Sequence, residues 1–98
     1  MTPRLRVHPD ARREFDDAVD YYERENPGLG AKFTDEVDAG FARIRKHPDA
    51  APLVAPNVRK LVLARFPYTL VYEVRDDFTR ILAIAHQRKR PYYWRRRH

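Results

Sequence analysis

The sequence predicts an α+β fold: a short N-terminal strand and an antiparallel helix hairpin, followed by a three-stranded antiparallel meander packed against the helices. Two stretches with apolar residues at helical spacing occupy the first half of the chain, residues 11–25 and 29–46. Three β-rich segments joined by two tight turns follow between Lys60 and His86. Because neither layer buries its apolar face alone, the helices are expected to cover the sheet.

The first helix is expected from about Ala11 to Glu25, after a short strand that ends before Pro9. Asp10 is a favourable N-cap residue. The helix carries one apolar stripe, formed by Ala11, Phe15, Ala18, Val19 and Tyr22. The tripeptide 26–28, Asn-Pro-Gly, ends it, because a residue before proline avoids the helical region and glycine allows a turn.

The second helix is expected from about Leu29 to Lys46. It carries one narrow apolar seam, formed by Leu29, Phe33, Val37, Phe41 and Ile44. The short loop between the helices predicts an antiparallel hairpin. The proline-rich stretch 48–58 is expected to be a connector, with Leu53 and Val54 reaching the core.

The meander is bounded by the turns at Phe66-Pro67 and Asp76-Asp77. In its middle strand, one face is expected to carry Tyr68, Leu70, Tyr72 and Val74. The last strand, from Thr79 to His86, is apolar at almost every position. Apolar residues on both faces predict a central, well-covered strand.

The charge of the chain is concentrated in its second half. The net charge is +6 over 98 residues, with −2 in residues 1–58 and +8 in residues 59–98. Such asymmetry favours an anionic partner, or else a solvated basic surface. The length predicts one domain, residues 1–98. The absence of cysteine, signal peptide and long apolar run favours a cytoplasmic protein that makes no membrane contact.

Familiar catalytic and cofactor motifs are missing from the sequence. The three glycines form no phosphate loop, and the four histidines lack metal-ligand spacing. We therefore expect no cofactor and no metal. His86 ends the predicted central strand, where its imidazole would serve as an acid or base or would hydrogen-bond a backbone carbonyl. The structural role is favoured for a lone histidine.

The C-terminal residues interleave cations with aromatic rings, and the cluster comprises Arg88, Lys89, Arg90, Tyr92, Tyr93, Trp94, Arg95, Arg96 and Arg97. This composition suits nucleic acid, through phosphate contacts and base stacking, and equally an acidic protein segment. Alternatively, an aromatic ring covers the core and the last arginines fray. We expect Trp94 to be partly packed, residues 95–98 to form a mobile basic tail, and Arg88→Ala to weaken function more than Arg97→Ala.

The order of elements and two segments of the meander together resemble the RelE/ParE family of small bacterial toxins. The two segments are Arg65-Phe-Pro-Tyr-Thr-Leu-Val-Tyr-Glu-Val and Ile81-Leu-Ala-Ile-Ala-His-Gln-Arg. The resemblance extends from about Val7 to Trp94. It implies a cytoplasmic bacterial toxin of a type II toxin–antitoxin module. It also implies a cognate antitoxin that neutralises the toxin by wrapping an extended or helical segment over its surface.

The resemblance implies two alternative targets. RelE-like members cut mRNA in the ribosomal A site without a metal, and the corresponding residues here would be Lys60, Arg65, Arg88 and Tyr93. ParE-like members inhibit DNA gyrase and have no known hydrolytic chemistry. An inactive member retained for antitoxin binding is a third alternative.

Two positions favour the ParE-like branch. RelE-like nucleases carry an arginine after the tyrosine that opens the middle strand, where this chain has Thr69, and a second lysine where it has Val62. Without these cations, a major source of transition-state stabilisation is lost. We therefore expect binding to DNA gyrase, with the ribosome and mRNA as alternative partners. The expected binding residues are Arg65, His86, Arg88, Lys89, Arg90, Tyr92, Tyr93 and Trp94.

Overall fold

The computed structural model describes residues 4–97. Its elements are, in chain order, β1 (Arg4–Val7), α1 (Pro9–Glu25), α2 (Leu29–Lys46), β2 (Leu53–Ala55), β3 (Val58–Val62), β4 (Tyr68–Val74) and β5 (Phe78–His86). The expected α+β architecture is confirmed. One further strand, β2, lies in the stretch expected to be a connector.

The strands form one mixed sheet with the order β1-β5-β4-β3-β2. β1 runs parallel to β5, and the other neighbours are antiparallel. β5 therefore lies between β1 and β4, and its residues 81–85 are buried. This confirms the prediction that the last strand is central and covered.

The two helices begin and end close to the predicted residues, but the cap of α1 differs. His8 is the N-cap, and its Nδ1 accepts a hydrogen bond of 3.0 Å from the backbone N–H of Asp10. The predicted cap, Asp10, instead lies in the first turn. Pro9 occupies the start of the helix, where its missing N–H costs nothing.

Apolar side chains form two clusters, one on each face of the sheet. The helix-facing cluster includes Phe33, Val37, Ile44, Leu70, Tyr72, Ile81 and Ile84. The cluster on the opposite face contains Val58, Val71, Leu82, Ala83, Ala85 and Trp94. The residues that follow β5 thus return to cover the second face.

A bulge in β5 determines which side chains reach each cluster. Val71 pairs with Ala83 but Tyr72 pairs with Ile81, so Leu82 is an extra residue. As a result, Ile81 and Ile84 both join the helix-facing cluster although they are three positions apart. The pairing of β1 with β5 reaches Ile81, so the edge of β5 beyond it is available to other groups.

The connector departs from the prediction at Leu53. Its side chain is 57% exposed and does not enter the core, whereas Val54 packs against the second cluster. Within residues 4–97, no helix is long and apolar enough to cross a membrane.

Candidate functional site

The residues after β5, which we call the C-terminal segment (residues 87–97), follow a series of turns. Backbone N–H groups donate to carbonyls three residues earlier, from Tyr93 to Arg90 (3.3 Å), from Arg95 to Tyr92 (3.0 Å) and from Arg97 to Trp94 (2.9 Å). Tyr92 has a positive φ of 60°, an unusual conformation for a bulky residue. The turns carry Trp94 into the second cluster, where it is 7% exposed. The prediction that Trp94 is partly packed agrees with this burial.

Glu14, on the second turn of α1, binds the far end of this segment. Its Oε2 accepts hydrogen bonds from Tyr93 Oη at 2.6 Å and Arg97 Nη2 at 3.1 Å. Its Oε1 accepts from Arg97 Nη1 at 2.9 Å and from the backbone N–H of Ile84 at 3.1 Å. We call the trio of Glu14, Tyr93 and Arg97 the C-terminal latch. The latch therefore joins α1, the free edge of β5 and the C-terminal segment.

Arg97 is held on several sides. Its Nη1 also donates to the Leu82 carbonyl at 3.0 Å, and its guanidinium lies 4.9 Å from the centre of the Tyr93 ring. The side chains of Arg97 and Glu14 are 16% and 19% exposed. These contacts show that the expectation of a mobile tail was wrong for Arg97. The sequence gives no sign of them, because the partners of Arg97 lie far away along the chain. Arg95 and Arg96 are exposed, and His98 lies outside the described residues.

The latch also determines the chemistry of Tyr93. Burial, followed by the hydrogen bond to the Glu14 carboxylate, raises the pKa of the Tyr93 phenol. The phenol is therefore a neutral hydrogen-bond donor at physiological pH. To act as a general base, Tyr93 would first have to ionise to a phenolate. That ionisation is unfavourable, because it would place the phenolate charge next to the Glu14 carboxylate.

A cavity of about 190 Å³ opens on the sheet face beside the C-terminal segment. Its lining includes seven residues singled out from the sequence: Lys60, His86, Lys89, Arg90, Tyr92, Tyr93 and Trp94. Lys60, Lys89 and Arg90 are exposed, and the Lys89 ammonium lies 5.5 Å from the centre of the Tyr93 ring. An anionic group would meet cations and aromatic walls together at this cavity.

Two predicted residues lie away from this cavity. Arg88 lines a second hollow with Tyr21, Tyr22, Pro67 and Tyr68. Arg65 lines a third hollow beside α2, and its backbone N–H donates to Glu36 Oε2 at 2.8 Å. The predicted set is therefore divided among separate surfaces.

His86 borders both the Lys60 cavity and the Arg88 hollow. Its ring meets Tyr68 edge to face at 5.1 Å between centres. Its Nδ1 accepts a hydrogen bond of 3.0 Å from the backbone N–H of Arg88. The structural role favoured for His86 is observed, although its partner is a backbone N–H and not the expected carbonyl.

The two positions at which RelE-like nucleases carry cations lie opposite each other here. Val62 of β3 pairs with Thr69 of β4, and Lys60 pairs with Val71 on the same face. Val62 is 50% exposed and Thr69 is buried. These two positions themselves carry no charge, although exposed Lys60 lies on the same face beside them. Among residues 4–97, no group of three His, Asp or Glu side chains is arranged to hold a metal ion.

Comparisons with known proteins agree on the family. A family model for the ParE toxin of the type II toxin–antitoxin system parDE matches residues 5–91. Toxin ParE2 of Mycobacterium tuberculosis, from strains CDC 1551 / Oshkosh and H37Rv, is 32% identical over 92 residues, which cover 93% of this chain and 88% of the relative. A chain from a solved chromosomal ParDE system of P. aeruginosa has the same fold, with a TM-score of 0.76 and 21% identity, over 87% of this chain and 96% of that chain. The expected family and fold are confirmed.

Proposed function

The chain belongs to the ParE toxin family of type II toxin–antitoxin systems, and we propose that it acts by binding and inhibiting DNA gyrase, with a cognate antitoxin as its neutralising partner. The proposed contact surface is the C-terminal segment with the cavity beside it. In this view the toxin works by occupying a surface of its target and not by breaking a bond.

The observation that carries the proposal is the uncharged pair of Val62 and Thr69 beside a cation-rich rim. Phosphoryl transfer needs positive charge placed at the developing transition state. The exposed cations Lys89 and Arg90 instead belong to a segment outside the strands. That arrangement suits the recognition of an acidic surface, where such charges also speed association.

The aromatic residues supply the apolar part of the proposed contact. Tyr92 is 49% exposed and lies 5.7 Å from the Trp94 ring, centre to centre. The ring of exposed Tyr92 therefore packs against the ring of buried Trp94. An exposed tyrosine close to an exposed arginine, here Arg90, is a favourable anchor at protein interfaces.

A supercoiling assay with purified gyrase tests the target. We expect the wild-type chain to inhibit supercoiling, and a Lys89→Ala/Arg90→Ala variant to inhibit about tenfold more weakly or worse, as expected for losing one hot-spot contact. The matched control is Arg45→Ala/Lys46→Ala, which removes the same charge from exposed positions at the end of α2. Normal supercoiling in the presence of excess wild-type chain would exclude gyrase as the target.

The RelE-like alternative has one observation in its favour, since Lys60 shares a cavity with His86 and Tyr93. Primer extension on mRNA bound to translating ribosomes distinguishes the two targets. The proposed function predicts no cleavage in the A site. Cleavage that depends on Lys60 would replace it with ribosome-dependent endonuclease activity.

The antitoxin is tested separately from the target. We expect the small protein encoded beside this chain to bind it and to restore growth when both are produced together. If growth arrest is the same with and without the neighbouring protein, that protein is not the neutralising partner. This result would not bear on gyrase inhibition, which the supercoiling assay tests separately.

A further inference from the structure

We propose that Glu14, through its contacts with Arg97 and Tyr93, is a positioning residue that holds the C-terminal segment in its target-binding form. The inference rests on the proposed function, because it assumes that this segment makes the target contact. Glu14 itself lies on α1 and lines none of the cavities described above.

The C-terminal segment depends on a small number of long-range contacts. Its backbone hydrogen bonds after Lys89 are local turns, which do not tie it to the sheet. Two features do so: the packing of Trp94 into the second cluster, and the latch, to which Asp10 Oδ2 adds an ion pair with Arg97 Nε at 3.8 Å. The latch is the polar part of this attachment, and it spans 83 positions of sequence.

A backbone hydrogen bond from β5 orients the Glu14 carboxylate. Its Oε1 accepts the N–H of Ile84, on the edge of β5 beyond the reach of β1, while Arg97 donates to the neighbouring Leu82 carbonyl. The carboxylate and the guanidinium therefore satisfy two backbone groups beside the bulge as well as each other. A bidentate ion pair fixed in this way defines both the position and the direction of Arg97.

The exposed binding residues lie between two fixed points. At one end, His86 closes β5 and accepts the N–H of Arg88. At the other end, Trp94 and the latch hold the chain. Lys89, Arg90 and Tyr92 occupy the loop between them. Opening the latch frees one end of that loop. Target binding must then order the loop, and the conformational entropy lost in doing so weakens the affinity.

The test compares Glu14→Gln and Arg97→Ala with matched controls. Glu14→Gln keeps an oxygen for the Ile84 N–H but removes the negative charge of the bidentate pair, and it leaves Arg97 the longer contact of 3.8 Å with Asp10. The controls are Glu25→Gln, the same change at an exposed position of α1, and Arg24→Ala, the removal of an exposed arginine of α1 that lies outside the proposed contact surface. The chain has one tryptophan, so fluorescence quenching reports directly on Trp94.

For both latch variants we expect faster quenching of Trp94 and an increase of at least about tenfold in amide exchange at Arg95 and Arg97, since a charged hydrogen bond is lost. Growth arrest should fall as far as it does in the Lys89→Ala/Arg90→Ala variant, although the binding residues are unchanged. The controls should match the wild type in all three measurements. Arg97→Lys should restore part of the arrest, because it keeps the charge but not the bidentate geometry.

Two results would overturn the inference. The first is unchanged quenching and exchange in Glu14→Gln and Arg97→Ala. The second is a released segment together with undiminished growth arrest. If Glu14→Gln does not fold, Arg97→Lys is compared with Arg97→Ala in the same measurements of quenching, amide exchange and growth arrest. Equal values in these two variants would then overturn the inference. Failure of the wild-type chain to inhibit gyrase contradicts only the proposed target, because growth arrest still tests the latch. A wild-type chain that does not arrest growth contradicts both.

Discussion

The Nδ1 atom of His86 accepts the backbone N–H of Arg88 at 3.0 Å, so the last residue of β5 determines how the chain leaves the sheet. The same imidazole packs edge to face on Tyr68, the first residue of β4 and its partner across the strands. His86 thus joins the helix-facing core to the start of the C-terminal segment.

His86→Ala should therefore weaken growth arrest more than His86→Asn does. Alanine removes the acceptor for the Arg88 N–H, at a cost of about 1 kcal/mol, whereas the side-chain oxygen of asparagine keeps an acceptor at a similar distance from the backbone. Both variants lose the contact with Tyr68, so that loss does not separate them. Amide exchange at Arg88 measures the bond directly, and equal exchange in the two variants would contradict the assigned role.

Tyr93→Phe distinguishes a latch residue from a nuclease residue. The change removes the 2.6 Å bond to the Glu14 carboxylate and leaves the ring, so the free energy of unfolding should fall by about 1.5–3 kcal/mol. Arg97 still pairs with Glu14, and the segment should stay docked with gyrase inhibition largely retained. Urea denaturation and the supercoiling assay measure the two effects. Complete loss of toxicity in a stably docked variant would favour a chemical role for the hydroxyl.

The raised pKa of Tyr93 predicts a loss of stability at alkaline pH. In the unfolded chain a tyrosine ionises near pH 10, whereas in the folded chain burial and the Glu14 carboxylate keep Tyr93 neutral to higher pH. The contribution of Tyr93 is present below the unfolded pKa and is lost as the pH rises toward the folded value. Burial raises the pKa values of Tyr22, Tyr68 and Tyr72 in the same direction.

The free energy of unfolding should therefore fall as the pH rises above about 10, and less steeply in Tyr93→Phe than in the wild type. Denaturation at a series of alkaline pH values measures both slopes. Parallel slopes would show that Tyr93 is not held neutral by the folded chain.

The elements of the fold follow from local sequence signals. α2 begins and ends at the predicted residues because its apolar seam, the preceding glycine and the following His47-Pro48 all act within a few positions. The N-cap of α1 was assigned wrongly because His8, next to Pro9, also offers an acceptor to the first turn. Strand β2 was missed because three residues in a proline-rich stretch carry too weak a pattern.

The latch could not be predicted in the same way. Glu14 reads as one of several carboxylates on an amphipathic helix, and Arg97 reads as part of a terminal run of arginines. Their contact depends on the bulge at Leu82, which arises from pairing between two strands, and on the positive φ of Tyr92, which is unexpected for a bulky residue. The expected order of effects for Arg88→Ala and Arg97→Ala relied on a mobile Arg97. That premise is wrong, and we now expect Arg97→Ala to weaken function at least as much.

Gly40 brings α2 close to the sheet and provides a test of the core beneath the site. A Cβ atom at this position would lie 2.6 Å from Cδ1 of Leu70, a fully buried residue of β4. Gly40→Ala would gain about 1 kcal/mol of helix propensity but should lose about 1–3 kcal/mol to overpacking, so the melting temperature should fall. Leu70→Val shortens the clashing side chain, and the double variant should therefore be less destabilised than the sum of the two single changes. Additive effects in thermal denaturation would show that the helix moves away from the sheet and that Gly40 does not set their separation.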